Sequence, residues 1–153
     1  METLTQTSPE TAEALRTLAA GQLRWSLSHI LKTLAATPDD KLDFKPSESA
    51  SSTRELVQHI ISGNGHVGRV LGLDFSGEPP TDRDALVARV TETTEAIIGA
   101  LEALTPEQID STIDFFGPMP MKSFMLVDHW HISRHAGQID YIQTIYGDME
   151  DHF

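Results

Sequence analysis

Residues 121–146 read MKSFMLVDHWHISRHAGQIDYIQTIY, and Gly147 follows them directly. Projected at 3.6 residues per turn, this segment forms one stripe that is apolar at both ends and polar in the middle. Such a stripe is typical of a helix that faces the interior of a bundle, where polar groups need partners. Arg134, Asp140 and Gln143 fall outside the stripe. Gly147 predicts the end of the helix. The stripe consists of Phe124, Asp128, His131, His135, Gln138, Ile142 and Ile145.

Three further helices are predicted upstream of this one, each with a recognisable start. Ser8 precedes Pro9 and caps the first helix. This helix is expected to end before Pro38, because proline disfavours helical geometry in the residue that precedes it. In the second, Ser52 and Glu55 form a capping box in which each side chain satisfies a free backbone amide of the other. The four predicted helices cover about residues 9–36, 53–73, 82–104 and 121–146.

The sum of these elements predicts an all-α protein, a four-helix bundle that forms a single domain over residues 1–153. The connections after the first and third helices are longer than a minimal helical hairpin needs. Residues 113–120 are apolar but broken by proline and glycine, so they predict an extended, packed connection instead of a pair of strands.

Composition narrows the class of function. The chain has 11 Lys+Arg against 23 Asp+Glu, a formal net charge of −12, which argues against nucleic acid and anionic membrane surfaces as partners. It has no cysteine, so disulfides and thiolate metal sites are excluded and His and carboxylate remain as strong ligands. A polar start and the lack of a long apolar run predict a cytoplasmic protein without membrane spans.

A metal site is the first interpretation of the polar middle of the fourth helix. His131 and His135 lie one turn apart, so both imidazoles can reach one ion at about 2.0–2.1 Å. An isolated pair at this spacing also occurs as surface histidines or as core histidines bonded to carbonyls. The second helix offers His59 and His66 on nearly the same face, and either could supply a third ligand across the bundle. Three ligands with open positions are expected of a catalytic metal.

Three stretches resemble the DinB/YfiT-like superfamily of metal-dependent four-helix bundles, and together they cover nearly the whole chain. They are PDDKLDFKP at 38–46, SSTRELVQH at 51–59 and HISRHAGQI at 131–139. In that family three histidines bind a divalent metal, commonly nickel or zinc, and the resemblance points to His59, His131 and His135 as the ligands. Ala136 departs from the basic residue that usually follows the last histidine.

The resemblance also implies an activity. The family includes transferases that add a low-molecular-weight thiol to a small electrophile, among them bacillithiol transferases and the mycothiol-dependent maleylpyruvate isomerase. The expected partners are therefore a small-molecule substrate, a thiol cosubstrate and a second copy of the chain in a homodimer. Two alternatives stay open: a metal-dependent hydrolase, in which the metal activates water, and a non-enzymatic metal-binding dimer of the stress response.

Several neighbours of the expected ligands carry their own predictions. Gln138 could hold a ligand imidazole or a bound water, or equally be a satisfied core amide. His66, if not a ligand, would stand beside the site or face the substrate. His129 lies about 160° from His131 around the helix and is expected at the surface or at a dimer contact. Asp128 is expected to complement the helix dipole.

Three glycines inside the second helix weaken it, which suggests close packing or a cavity beside His59. They are Gly63, Gly65 and Gly68.

Overall fold

A computed structural model describes residues 6–152 of the chain. A single 3₁₀ turn, Asp39–Lys41, interrupts the connection between the first two helices. The elements in chain order are α1 (Pro9–Ala36), α2 (Thr53–Val70), α3 (Arg83–Glu102), α4 (Pro106–Ile109), β1 (Thr112–Asp114), β2 (Pro118–Pro120), α5 (Met121–Phe124) and α6 (Val127–Ile145).

The predicted caps are present. The hydroxyl of Ser8 accepts from the backbone N–H of Thr11 at 3.1 Å, and α1 keeps its predicted bounds. In the capping box of α2, Ser52 Oγ accepts from Glu55 N at 3.2 Å and Glu55 Oε2 accepts from Ser52 N at 2.9 Å. The second helix was expected to reach residue 73 but ends at Val70, because Gly72 adopts a φ of 77° and reverses the chain.

The long helices form a bundle, which confirms the predicted fold. α1 packs against α3 and α6, and α2 packs against the same two helices. Helices α1 and α2 are therefore diagonal neighbours, as are α3 and α6, and their connections must cross an end of the bundle. This arrangement explains why the loops after α1 and α3 are long. Among the described residues, no helix is long and apolar enough to span a membrane.

A β-hairpin replaces the extended connection predicted at residues 113–120, so that prediction was wrong. Strands β1 and β2 pair antiparallel with Ile113 opposite Met119. Phe115 N donates to the carbonyl of Gly117 at 2.9 Å, and Met121 N donates to Ser111 at 2.9 Å. In this register the two prolines of β2 occupy the positions that need no backbone donor, so they do not break the ladder.

The predicted fourth helix is divided, and residues 125–126 separate α5 from α6. No proline or glycine marks this break, so periodicity alone does not reveal it. The predicted inward stripe is also wrong at three of the positions named above, all within the continuous helix α6. Gln138 and Ile145 are exposed, whereas Gln143 is buried. The Gln143 amide donates at 2.9 Å to the carbonyl of Thr33, in the last turns of α1, where helix carbonyls lack partners.

Candidate metal centre

Three imidazoles meet where α2 faces α6. His59 comes from α2, and His131 and His135 come from successive turns of α6. One ring nitrogen of each lies within 4.8 Å of the corresponding nitrogens of the other two. His59 is exposed, His131 is partly buried and His135 is buried, so the cluster lies between the core and the solvent. The structure leaves His66 outside this cluster.

Gln138 fixes the orientation of one of these rings. Its Oε1 lies 2.5 Å from His135 Nδ1, and a carbonyl oxygen can only accept, so Nδ1 carries the proton. His135 Nε2 then keeps its lone pair free for a ligand. Gln138 is exposed on the helix surface, and the prediction that it holds a metal-binding imidazole stays a prediction.

The ring of His131 is held in place by its close approach to α2. A Cβ built on Gly63 would lie 2.7 Å from His131 Nδ1 and closer still to Cε1, so any other residue there must displace the imidazole. The expectation of close packing thus applies to Gly63. Gly68 likewise lies against Phe75, whereas Gly65 has open space where a Cβ would be.

The electrostatics of the cluster favour neutral imidazoles. Burial, and after it the positive charges of His135, His59 and Arg134 in that order of size, together lower the pKa of His131 to about 4. Burial also lowers the pKa of His135, against an opposing effect of its hydrogen bond to Gln138. Neutral imidazole is the form that binds a metal ion, so the donor set is compatible with a divalent cation.

A buried acid lies one turn before His131. Asp128 is buried in the first turn of α6, and burial raises the pKa of its carboxyl to about 7. The Asn64 amide, oriented to satisfy its neighbours, donates to Asp128 Oδ1 at 3.1 Å and to the carbonyl of Ile60 at 3.0 Å. Asp128 Oδ2 has no hydrogen-bond partner among the described residues. The prediction that Asp128 complements the helix dipole therefore did not include its main feature, which is its burial.

Asn64 is a residue that the sequence analysis missed. It lies between Ile60 and Val67 on the apolar stripe of α2, and a polar side chain at such a position signals a buried hydrogen-bond network. Its oxygen also accepts from the hydroxyls of two threonines of α3 at 2.8 and 3.0 Å. The network thus joins α3 to the part of α2 that packs on His131.

A cavity of about 410 Å³ opens beside the cluster. Its walls come from α2, from α6 and from the tip of the hairpin. His59 and His131 contribute to its lining, and His66 lines it as well. The remaining lining residues are Ser62, Gly63, Val67, Phe115, Phe116, Val127 and Trp130.

The other histidines of α1 and α6 have structural partners. His129, expected at the surface or at a dimer contact, is partly buried, and its Nδ1 lies 2.5 Å from Ser26 Oγ on α1. Ser26 also lies 2.9 Å from Ser133 Oγ, so the three side chains form one polar contact between α1 and α6. His29 Nε2 pairs with Asp140 at 2.8 Å.

Comparison with known proteins gives one consistent family. The family model described as the DinB superfamily matches residues 22–139. The uncharacterized protein YjoA of Bacillus subtilis strain 168 is 37% identical over 82 residues, which are 49% of this chain and 51% of that relative. The chain thus spans about half the length of the curated relative it matches.

Two solved structures share the fold. A DinB-like protein from Bacillus cereus ATCC 10987 superposes with a TM-score of 0.69 at 22% identity, covering 94% of this chain and 95% of the other. The structure of YjoA from Bacillus subtilis gives a TM-score of 0.67 at 26% identity, covering 87% and 96%. These similarities confirm the fold class predicted from the sequence.

Proposed function

Because the chain belongs to the DinB superfamily, we propose that His59, His131 and His135 bind one divalent metal ion, either zinc or nickel. The convergence of three imidazole nitrogens within 4.8 Å of one another carries this proposal. Three protein ligands leave coordination positions open, as catalytic metal sites require. The exposed edge of His59 and the cavity beside His131 give a small molecule access to those positions.

The reaction we propose is transfer of a low-molecular-weight thiol to a small electrophile. The bound ion supplies a positive charge that lowers the pKa of a thiol beside it. The thiol sulfur forms a bond to an electrophilic carbon, and the thiol proton leaves with the departing group. The chain has no cysteine, so the thiol must be a cosubstrate.

Hydrolysis makes a demand on the side chains around the cluster that thiol transfer does not. A hydrolase usually places a general base within hydrogen-bond reach of its water. Among the described residues, no carboxylate lines the cavity, and Asp128 is buried in the core, so the base would have to be His66, the one lining histidine outside the proposed ligand set. Thiol transfer needs no such base, because the ion itself favours the thiolate.

Elemental analysis of protein purified without an affinity tag, followed by an assay of thiol consumption, tests the proposal. The assay compares four samples. One contains protein, metal and thiol, the second lacks metal, the third lacks thiol, and the fourth is complete but contains the His131→Ala variant. His152→Gln is the matched control, because His152 pairs with Asp148 and belongs to neither the cluster nor the cavity.

The outcomes separate three functions. Turnover that requires both metal and thiol, and that is lost in His131→Ala alone, supports thiol transfer. Turnover with metal but without thiol would identify a hydrolase. Metal that stabilises the protein without any turnover would identify a non-enzymatic binding module.

We also propose that the chain forms a homodimer, which the family resemblance supports. Light scattering after size-exclusion chromatography measures the mass directly. A particle of twice 16.9 kDa supports the dimer, and a particle of 16.9 kDa contradicts it.

A further inference from the structure

We infer that the cavity beside His131 binds an uncharged aromatic or other apolar group, so that the electrophile is a small apolar molecule. The inference rests on the proposed function, since it names the substrate class for the same site. It draws on the lining of the cavity, its size and the conformation of the hairpin tip.

Away from its three histidines, the lining offers little to a charged group. Among the described residues that form it, there is no lysine, arginine, aspartate or glutamate. A buried charge without a partner is costly, so the part of the cavity away from the histidines disfavours an ionic group. Phe115, Phe116 and Trp130 instead present aromatic surface, which favours apolar and aromatic ligands.

A second cavity near the cluster shows the contrast. It lies on the side of Gln138 and is lined by Ser49, Ser51 and the guanidinium-bearing Arg134, among others. Polar or anionic parts of a ligand would find donors there. The two sides of the cluster thus differ in chemistry, and the apolar side is the one lined by His59 and His131.

The size of the apolar cavity sets the scale of the ligand. At about 410 Å³ it falls near the lower end of the roughly 300–1,000 Å³ that small-molecule sites occupy. One or two fused rings fit this space, whereas a long chain or a polymer does not.

The hairpin tip supports the inference independently. Phe116 has a φ of 55°, a left-handed conformation that residues with a side chain rarely adopt, and it is 87% exposed. An aromatic residue is disfavoured at such a position on both counts. Its ring lies 4.8 Å from Phe115 and 5.8 Å from the ring of His66, so it extends an aromatic wall at the cavity mouth. A ligand that stacks on this wall would cover it.

The two tryptophans of the chain provide the test. Trp130 lines the cavity, whereas Trp25 packs near His29 and His129 on the other side of α6. The Trp25→Phe variant therefore reports on the cavity alone, and the Trp130→Phe variant serves as its control. Both are titrated, as purified, with nitrobenzene, a neutral quencher, and with its anionic analogue 4-nitrobenzenesulfonate.

We expect saturable quenching of Trp130 by nitrobenzene and a dissociation constant at least tenfold weaker for the sulfonate. Trp25 should show only linear, collisional quenching. Adding Phe116→Ala should weaken nitrobenzene binding at least threefold, whereas Tyr141→Ala, which removes an exposed aromatic outside the cavity, should leave it unchanged. Equal quenching of both tryptophans, or equal affinity for the sulfonate, would overturn the inference.

Failure of this inference is distinct from failure of the proposed function. Nitrobenzene binding needs no thiol and no turnover. Saturable binding without thiol transfer would retain the apolar site and reject the transferase. Thiol transfer without saturable nitrobenzene binding would retain the transferase and reject the apolar site.

Discussion

The imidazole of His131 lies directly against the backbone of Gly63 on the facing helix α2. A Cβ at Gly63 would come within 2.7 Å of Nδ1, so any other residue must push the ring away. The neighbouring Gly65 has no such contact, and a Cβ there meets open space. The two glycines therefore form a matched pair that separates the geometry of the cluster from the stability of the helix.

The first prediction uses this pair. Gly63→Ala should displace the His131 ring and weaken zinc affinity at least tenfold, because a ligand that moves cannot reach the shared ion. Gly65→Ala should leave zinc affinity unchanged and stabilise the protein by up to about 1 kcal/mol through better helix propensity. Competition with a chromophoric chelator measures the affinity, and thermal unfolding measures the stability. Equal zinc affinity in the two variants would contradict the role assigned to Gly63.

The second prediction concerns the three proposed ligands. Replacing His59, His131 or His135 by alanine should reduce zinc affinity at least tenfold each, since a third of the protein donors is lost. His66→Ala should retain affinity, because His66 lines the cavity without joining the cluster. Titration calorimetry on all four variants checks this. Loss of binding in His66→Ala with retention in His59→Ala would transfer the role on α2 to His66.

Much of the fold follows from the sequence because its signals are local. The caps at Ser8 and Ser52 depend on residues three positions apart, and both are found as predicted. Histidines on α2 and α6 that could share one ion suggested that these two helices are neighbours, and the two helices do pack together. The pattern failed at Gln143, which lies outside the predicted stripe, because its burial depends on a distant carbonyl at the end of α1.

The parts that the sequence does not reveal depend on long-range register. The prolines of β2 argued against a strand, and only pairing with β1 shows that they occupy positions without backbone donors. Phe116 likewise gives no sign in the sequence that it adopts a left-handed conformation beside a cavity. The contact of His129 with Ser26 joins residues 103 positions apart, so no local pattern reveals it.

The third prediction concerns the buried acid. In the folded state Asp128 has a pKa of about 7, against 3.8 for an ordinary aspartate, so folding favours its protonated form. Its cost to stability is therefore greatest above pH 7 and disappears as the pH falls towards 3.8. Asp128→Asn mimics the neutral acid and should stabilise the chelated protein by about 2 kcal/mol at pH 8. Near pH 4 the variant and the wild type should unfold at the same urea concentration, and a pH-independent difference would contradict the raised pKa.

The fourth prediction concerns His131, whose effect on the pH dependence of stability is opposite to that of Asp128. His131 has a pKa of about 4 in the folded protein, below the 6.5 of an ordinary histidine. Between these two pH values its imidazole is protonated in the unfolded chain but neutral in the folded one. As the pH decreases from 6.5 to 4, the free energy of unfolding of the metal-free, chelated protein should therefore decrease because of His131. His131→Gln should remove this part of the pH dependence. Urea unfolding of both proteins from pH 7.5 to 4.5 measures it, and parallel curves would show that His131 is not responsible.

The last prediction is that the metal-free protein stays folded. The core of α1 and α3 contains fully buried aliphatic side chains remote in sequence from the cluster, such as Leu23, Ile30, Leu86 and Ile97. Burial of this kind stabilises a bundle of this size without an ion. Metal should then add stability only by mass action, about 2.7 kcal/mol at a hundredfold excess over its dissociation constant. Circular dichroism after exhaustive chelation should retain the helical signal, with a lower melting temperature that zinc restores. Collapse of the helical signal would instead identify a structural metal, as in a zinc finger, and would argue against a catalytic role for the three histidines.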